Sequence, residues 1–186
     1  MSKSSNRTAL VEAALFAALA MVLSLIPDFA SWFTPSFGAI ALIFISLRRG
    51  LKYGLISGFI WGLLHFVLGK AYILTPYQAF IEYIFAFTVM GLAGLFSGRI
   101  QVYLKEKQRT KVLLTAYLAA FIACFVRYLL HFYAGVLFWG SYAPKGVGAV
   151  AYSISVNGTT GLLTWSITVI SLTIIILSSP KLLEVN

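Results

Sequence analysis

Between Lys145 and Lys181 the chain carries no Asp, Glu, Lys or Arg, and between Lys111 and Lys145 it carries only Arg127. A helix crosses the hydrocarbon core of a bilayer with about 20 predominantly apolar residues. Uncharged runs this long therefore read as transmembrane helices. Composition supports this: 60% of residues are hydrophobic, 16% aromatic and 10% charged, against about 25% charged in soluble domains. The net charge of +9 does not point to nucleic acid, because the basic residues cluster in short segments between apolar runs.

The expected fold is all-α, a single membrane domain over residues 1–186 with six transmembrane helices. These are read at about 8–26, 37–47, 51–68, 77–100, 111–139 and 148–178. Helix 2 is too short to cross unaided. The first 20 residues, MSKSSNRTALVEAALFAALA, have features of a signal peptide. The apolar run continues to Pro27, however, so this segment is read as a retained span. Lys3, Arg7, Arg48, Arg49, Lys52, Arg99, Lys105, Lys107, Arg109, Lys111 and Lys181 fall on one side, and only Lys70 and Lys145 on the other. The positive-inside rule then places both termini in the cytoplasm of a multi-pass protein of the cell membrane. The lone Cys124 excludes an intrachain disulfide framework. No internal repeat is evident.

Ionisable groups at membrane depth are costly and mark functional candidates. At a rise of ~1.5 Å per residue, Glu82 lies roughly 8 Å below the outer surface, His131 roughly 12 Å, and Tyr152 and Asn157 roughly 6 and 14 Å. Separate helices thus bring polar groups to one depth, as a pocket open to the outside would require. Arg127, His131, Gly135 and Trp139 share one stripe of helix 5 at four-residue spacing, and Gly135 leaves room for a ring. Trp32, Trp61, Tyr72, Tyr83, Trp139 and Tyr152 can supply aromatic walls and attract a ligand cation. Trp32 and Tyr72 also suit plain interfacial anchoring, and His65 suits helix packing and a binding role equally. For Glu82 two readings stand: counter-charge to a ligand cation, or an internal ion pair with Arg127. On helix 1, Ala9, Ala13 and Ala17 form a small-residue stripe, suited to packing within the bundle or to docking another membrane protein. No phosphate-binding G-x-x-x-x-G-K-[ST] loop is present, no zinc-binding H-E-x-x-H or Cys/His cluster, and no nucleophile arrangement. The chain is expected to be neither an ATPase nor an enzyme, and to carry no cofactor or metal.

The stretches RRGLKYGLISGFIWGLLHFVLGKAY (48–72), FIEYIFAFTVMGLAGLF (80–96) and RYLLHFYAGVLFWGSYAPKGVGAVAYSISVNG (127–158) resemble the thiamine-specific substrate-binding subunit (S component) of energy-coupling factor transporters. The resemblance runs over nearly the whole chain. It implies a six-helix S-component fold and high-affinity capture of thiamine from outside. It also implies assembly with a transmembrane coupling protein and two cytoplasmic ATPase subunits. The pocket positions it implies are Glu82, Tyr83, His131, Gly135, Trp139, Tyr152 and Asn157, with Trp61 and Tyr72 as further aromatics and Arg127 near the ligand's hydroxyethyl end. Trp32 would belong to a lid in the loop after helix 1. Ala13 and Ala17 would touch the coupling protein. The alternatives are an S component for another vitamin or a thiamine precursor, and a stand-alone proton-coupled carrier.

Overall fold

The computed structural model describes residues 3–26 and 33–185, and no strand occurs among them. The main segments are α1 (Lys3–Leu23), α2 (Gly38–Arg49), α3 (Leu51–Val67), α4 (Pro76–Lys105), α5 (Arg109–Phe138) and α6 (Ala149–Ser178). Four of these, α1, α4, α5 and α6, are long and apolar enough to cross a membrane. α3 is apolar but has 17 residues, and α2 has 12. At ~1.5 Å per residue α2 spans roughly 18 Å, well short of a hydrocarbon core. It is instead sheathed by its neighbours, with Ala39, Leu42, Ile43, Ile45 and Leu47 fully buried.

Three boundaries differ from the sequence expectation by three residues or more, the first being the start of α1 at Lys3 rather than 8. α1 ends at Leu23 rather than 26, and the Ser24 hydroxyl folds back to donate to the Ala20 carbonyl (2.8 Å). α4 runs on to Lys105 rather than 100, because Ile100 and Leu104 still bury an apolar edge. α4 is not uniform. It has a π-helical turn at Phe80–Phe85 and a 3₁₀ stretch at Val89–Phe96.

A glycine seam joins α3 to α4. Gly54, Gly58 and Gly62 recur every fourth residue on α3, and Gly91 and Gly94 face that helix from α4. A Cβ on Gly58 would collide with the Phe87 carbonyl, one on Gly62 with the Tyr83 carbonyl, and one on Gly91 with the Leu55 amide. Small residues let backbones approach this closely where lipid supplies no hydrophobic drive between helices. This four-residue glycine spacing is legible in the sequence, as is that of the α1 alanines.

Those alanines are bundle-facing. Ala9, Ala13 and Ala17 have no exposed surface. Ala9 and Ala13 pack with Tyr53 of α3, and Ala17 belongs to the main core. The partner contact expected at Ala13 and Ala17 is therefore corrected, since their methyl groups are covered by the protein itself. The outward face of α1 carries Val11, Ala14, Leu15, Ala18 and Val22.

One end of the bundle is tied by charge. Glu12 of α1 pairs with Arg49 (2.5 Å) and Arg48 (3.0 Å) of α2. Arg48 also donates to the Leu182 carbonyl (2.8 Å) and to the Glu184 carbonyl. Gln101 of α4 joins the same end, donating to the Leu183 carbonyl (2.8 Å) and accepting the Val185 N–H (3.1 Å). The opposite end is where α3 stops, α4 starts, α5 stops and α6 starts, and it holds a cavity.

Candidate functional site

The cavity has a volume of ≈ 530 Å³, within the range of small-molecule sites. Its lining includes Glu82 and Tyr83 from α4, Arg127, His131, Gly135 and Trp139 from α5 and its end, and Tyr152 and Asn157 from α6. Eight of the sequence-predicted positions therefore meet in one space. Trp61 and Tyr72 do not line it. Trp61 is fully buried one layer behind, its indole N–H donating to Ser24 Oγ (3.0 Å). Tyr72 lies at the rim, its ring 5.3 Å from that of Trp139. Trp32, assigned to the lid, lies outside the described residues, whereas Thr34 and Ser36 of the same loop line the cavity.

Glu82 and Tyr83 are consecutive, yet both reach the cavity. The π turn that contains them, Phe80–Phe85, accommodates an extra residue per turn and so widens the arc the helix presents; such turns recur at functional sites. The Glu82 carboxylate is almost fully buried and is held at both oxygens. Oε1 accepts the Trp139 indole N–H (2.9 Å) and Oε2 accepts from Gln78 Nε2. The alternative Arg127–Glu82 ion pair does not form: among the described residues the ion pairs are those of Glu12 with Arg48 and Arg49.

Arg127 is buried beside aromatic faces instead. Its guanidinium carbon lies 4.3 Å from the Phe87 ring centroid, 4.9 Å from Trp61 and 5.5 Å from Tyr128. Ring quadrupoles stabilise a desolvated cation without cancelling its charge. Nη1 donates to Ser36 Oγ (3.0 Å), and Nε to His131 Nε2 (3.4 Å). That second bond requires the ring nitrogen to keep its lone pair. The Ser36 N–H donates to Thr164 Oγ1 (3.0 Å), which also meets the Tyr128 hydroxyl (2.8 Å). The start of α2 is thus fastened to the cavity floor.

On α6, Asn157 Nδ2 donates to Ser153 Oγ and to the Ser153 carbonyl (both 3.2 Å). Gly135 opposes this pair. A Cβ there would collide with Ser153 Oγ and stand 3.0 Å from Asn157 Nδ2. His65 lines the cavity as well. Its Nδ1–H donates to the Trp61 carbonyl (2.9 Å), leaving Nε2 as an acceptor. Sequence reasoning missed Gln78, Ser36 and Ser153. Gln78 stands one helical turn before Glu82, but that spacing alone does not set it apart from a surface polar residue.

These features define a helical membrane protein with a buried small-molecule pocket, walled by rings and carrying one fixed carboxylate and one ring-flanked guanidinium. The thiamine transporter protein family matches the chain over residues 10–184, and the chain belongs to that family. It is 34% identical to the thiamine transporter ThiT of Lacticaseibacillus paracasei, over 98% of this chain and 93% of that one. It is 30% identical to ThiT of Bacillus subtilis, over 99% and 98%. The solved structure of ThiT from Listeria monocytogenes superposes with a TM-score of 0.93 at 44% identity, covering 97% of this chain and 99% of that one.

Proposed function

We propose that this chain is the thiamine-binding S component of an energy-coupling factor transporter, capturing thiamine from outside the cell with high affinity. The observation that carries the reading is the Glu82 carboxylate. It is buried in an aromatic cavity and fixed by neutral donors from Trp139 and Gln78. A buried anion with no ion-pair partner among the described residues calls for a cationic partner, and thiamine brings a permanent thiazolium charge. Family membership supports the same ligand.

In this reading Trp139, Tyr83 and His131 offer ring faces to the two heterocycles. Asn157, Ser153 and Tyr152 offer hydrogen bonds to the aminopyrimidine edge, and Arg127 donates to the hydroxyethyl oxygen. A ligand lacking those groups leaves buried polar atoms unpaired, which is a strong source of selectivity. Six crossings with both termini cytoplasmic, forming a single membrane domain, are supported by the basic residues at the Glu12–Arg48–Arg49 end, away from the cavity. ATP hydrolysis and the coupling step fall to a transmembrane coupling protein and two ATPase subunits. The α1 docking face we assign to it is the outward one, Ala14 and Ala18. Ala18→Trp is expected to abolish co-purification with that partner while leaving thiamine binding intact.

The test is a titration of purified protein with thiamine, read by tryptophan fluorescence, with one-to-one saturation expected. Glu82→Gln and Trp139→Ala should each weaken binding by about 10- to 100-fold, the value of a charge-assisted buried bond. If both variants bind like the parent, the assignment fails. An analogue with a neutral second ring then tells whether Glu82 mainly offsets the thiazolium or mainly reads the pyrimidine; little loss assigns it to the pyrimidine.

A further inference from the structure

Gln78 has no exposed surface, and every polar atom of its amide is engaged. Its Oε1 accepts the Leu74 N–H (3.0 Å). Its Nε2 donates to the Tyr72 carbonyl (3.2 Å) and to Glu82 Oε2. Only one orientation of the amide serves this set, because the Leu74 N–H can only donate and the Tyr72 carbonyl can only accept. A second bond fastens the same loop: the Tyr72 N–H donates to the Tyr83 hydroxyl oxygen (2.8 Å). The loop holds Lys70, which lines the cavity, and Tyr72, whose ring approaches Trp139.

One buried side chain therefore ties the rim of the pocket to its carboxylate. A loop staple alone would need only the Tyr72 and Leu74 bonds. The third bond does something else. It holds Glu82 Oε2 while Trp139 holds Oε1, so the carboxylate is fixed from α4 and from the end of α5. Each oxygen keeps a second acceptor site for a ligand. A carboxylate already held in its bound geometry has little ordering cost to meet on association.

We propose that Gln78 is a positioning residue for ligand capture: it orients Glu82 and couples that orientation to the rim loop 70–75. This rests on the cavity being a thiamine site. It predicts that the donor function of Gln78 matters separately from its loop bonds. Gln78→Met removes donor and acceptor and should weaken thiamine binding by about 10- to 100-fold. Gln78→Glu keeps an acceptor for the Leu74 N–H but loses the donor and sets two carboxylates side by side, which cannot both ionise cheaply. Lowering the pH from about 8 to about 5 raises the share of molecules that hold a proton between them, which restores an O–H donor.

The experiment is a thiamine titration of parent and both variants across that range, with ligand-free melting temperatures alongside. Lys70, His65, Tyr83, Arg127, His131 and Tyr152 line the same cavity as Glu82 and are kept in both variants, so each variant is read as a ratio to the parent. Expected is a deficit for Gln78→Glu that shrinks as the pH falls and a deficit for Gln78→Met that does not. Binding of both variants within about threefold of the parent, or a pH-independent Gln78→Glu deficit, overturns the proposal. If Gln78→Met does not fold, the pH ratio of Gln78→Glu decides alone. A parent that does not bind thiamine overturns the site reading itself, whereas a binding parent with unaffected variants overturns only the role of Gln78.

Discussion

At the scale of single residues, the site keeps two opposite charges apart in one cavity. Glu82 is fixed by neutral donors, and Arg127 is flanked by Phe87, Trp61 and Tyr128. Among the described residues this buried guanidinium has no carboxylate partner, a cost to stability that function can justify. Arg127→Met is therefore expected to raise the melting temperature of the ligand-free protein, by about 1 kcal/mol or more in stability, while weakening thiamine binding. A lower melting temperature would show that Arg127 holds the fold. Gly135→Ala tests the opposite wall. The added methyl must displace Ser153 Oγ and crowd Asn157, so affinity should fall about tenfold with a stability cost of about 1–3 kcal/mol. The intrusion of Glu82 into an apolar run was legible in sequence, as was the Arg127–Trp139 stripe. Gln78 was not, because a glutamine near a helix start looks like any surface polar residue until a loop folds over it.

At the scale of elements, α4 departs most from a plain helix. Its π turn brings Glu82 and Tyr83 to the same cavity, and its later glycines press against α3. Gly91→Ala would drive a methyl into the Leu55 and Gly54 backbone. It should destabilise the protein by about 1–3 kcal/mol, read as a drop in melting temperature in detergent. Gly98→Ala on the same helix meets open space and is the control, expected to be neutral or stabilising by up to about 1 kcal/mol. Apolar length alone located α4, α5 and α6 in the sequence. It did not settle which face of α1 turns inward. Ala13 and Ala14 differ only in direction by about 100° of helical rotation, and only packing on α2 and α3 decided between them.

At the scale of the whole molecule, orientation and energy coupling are the open tests. With buried Cys124 silent, an impermeant thiol reagent should label Lys145→Cys in intact cells and Lys107→Cys only after permeabilisation. The reverse pattern would invert the topology. The purified chain alone in liposomes should bind thiamine without accumulating it under a pH gradient. Accumulation would instead support a stand-alone proton-coupled carrier.

The sequence alone determined the solvent and the class. Uncharged runs longer than a bilayer is thick leave helices few alternatives, and long matching stretches carried the resemblance. Periodicity and depth also pointed to Glu82, His131, Gly135, Trp139, Tyr152 and Asn157, which line one cavity, because cost in lipid makes each buried polar residue informative. Tertiary structure decided pairing. Whether Glu82 met Arg127 or stayed available depended on Trp139 and Gln78 reaching it first. Which alanines of α1 faced outward depended on its neighbours. Both are matters of where side chains from distant segments converge, and local pattern does not encode distance between segments.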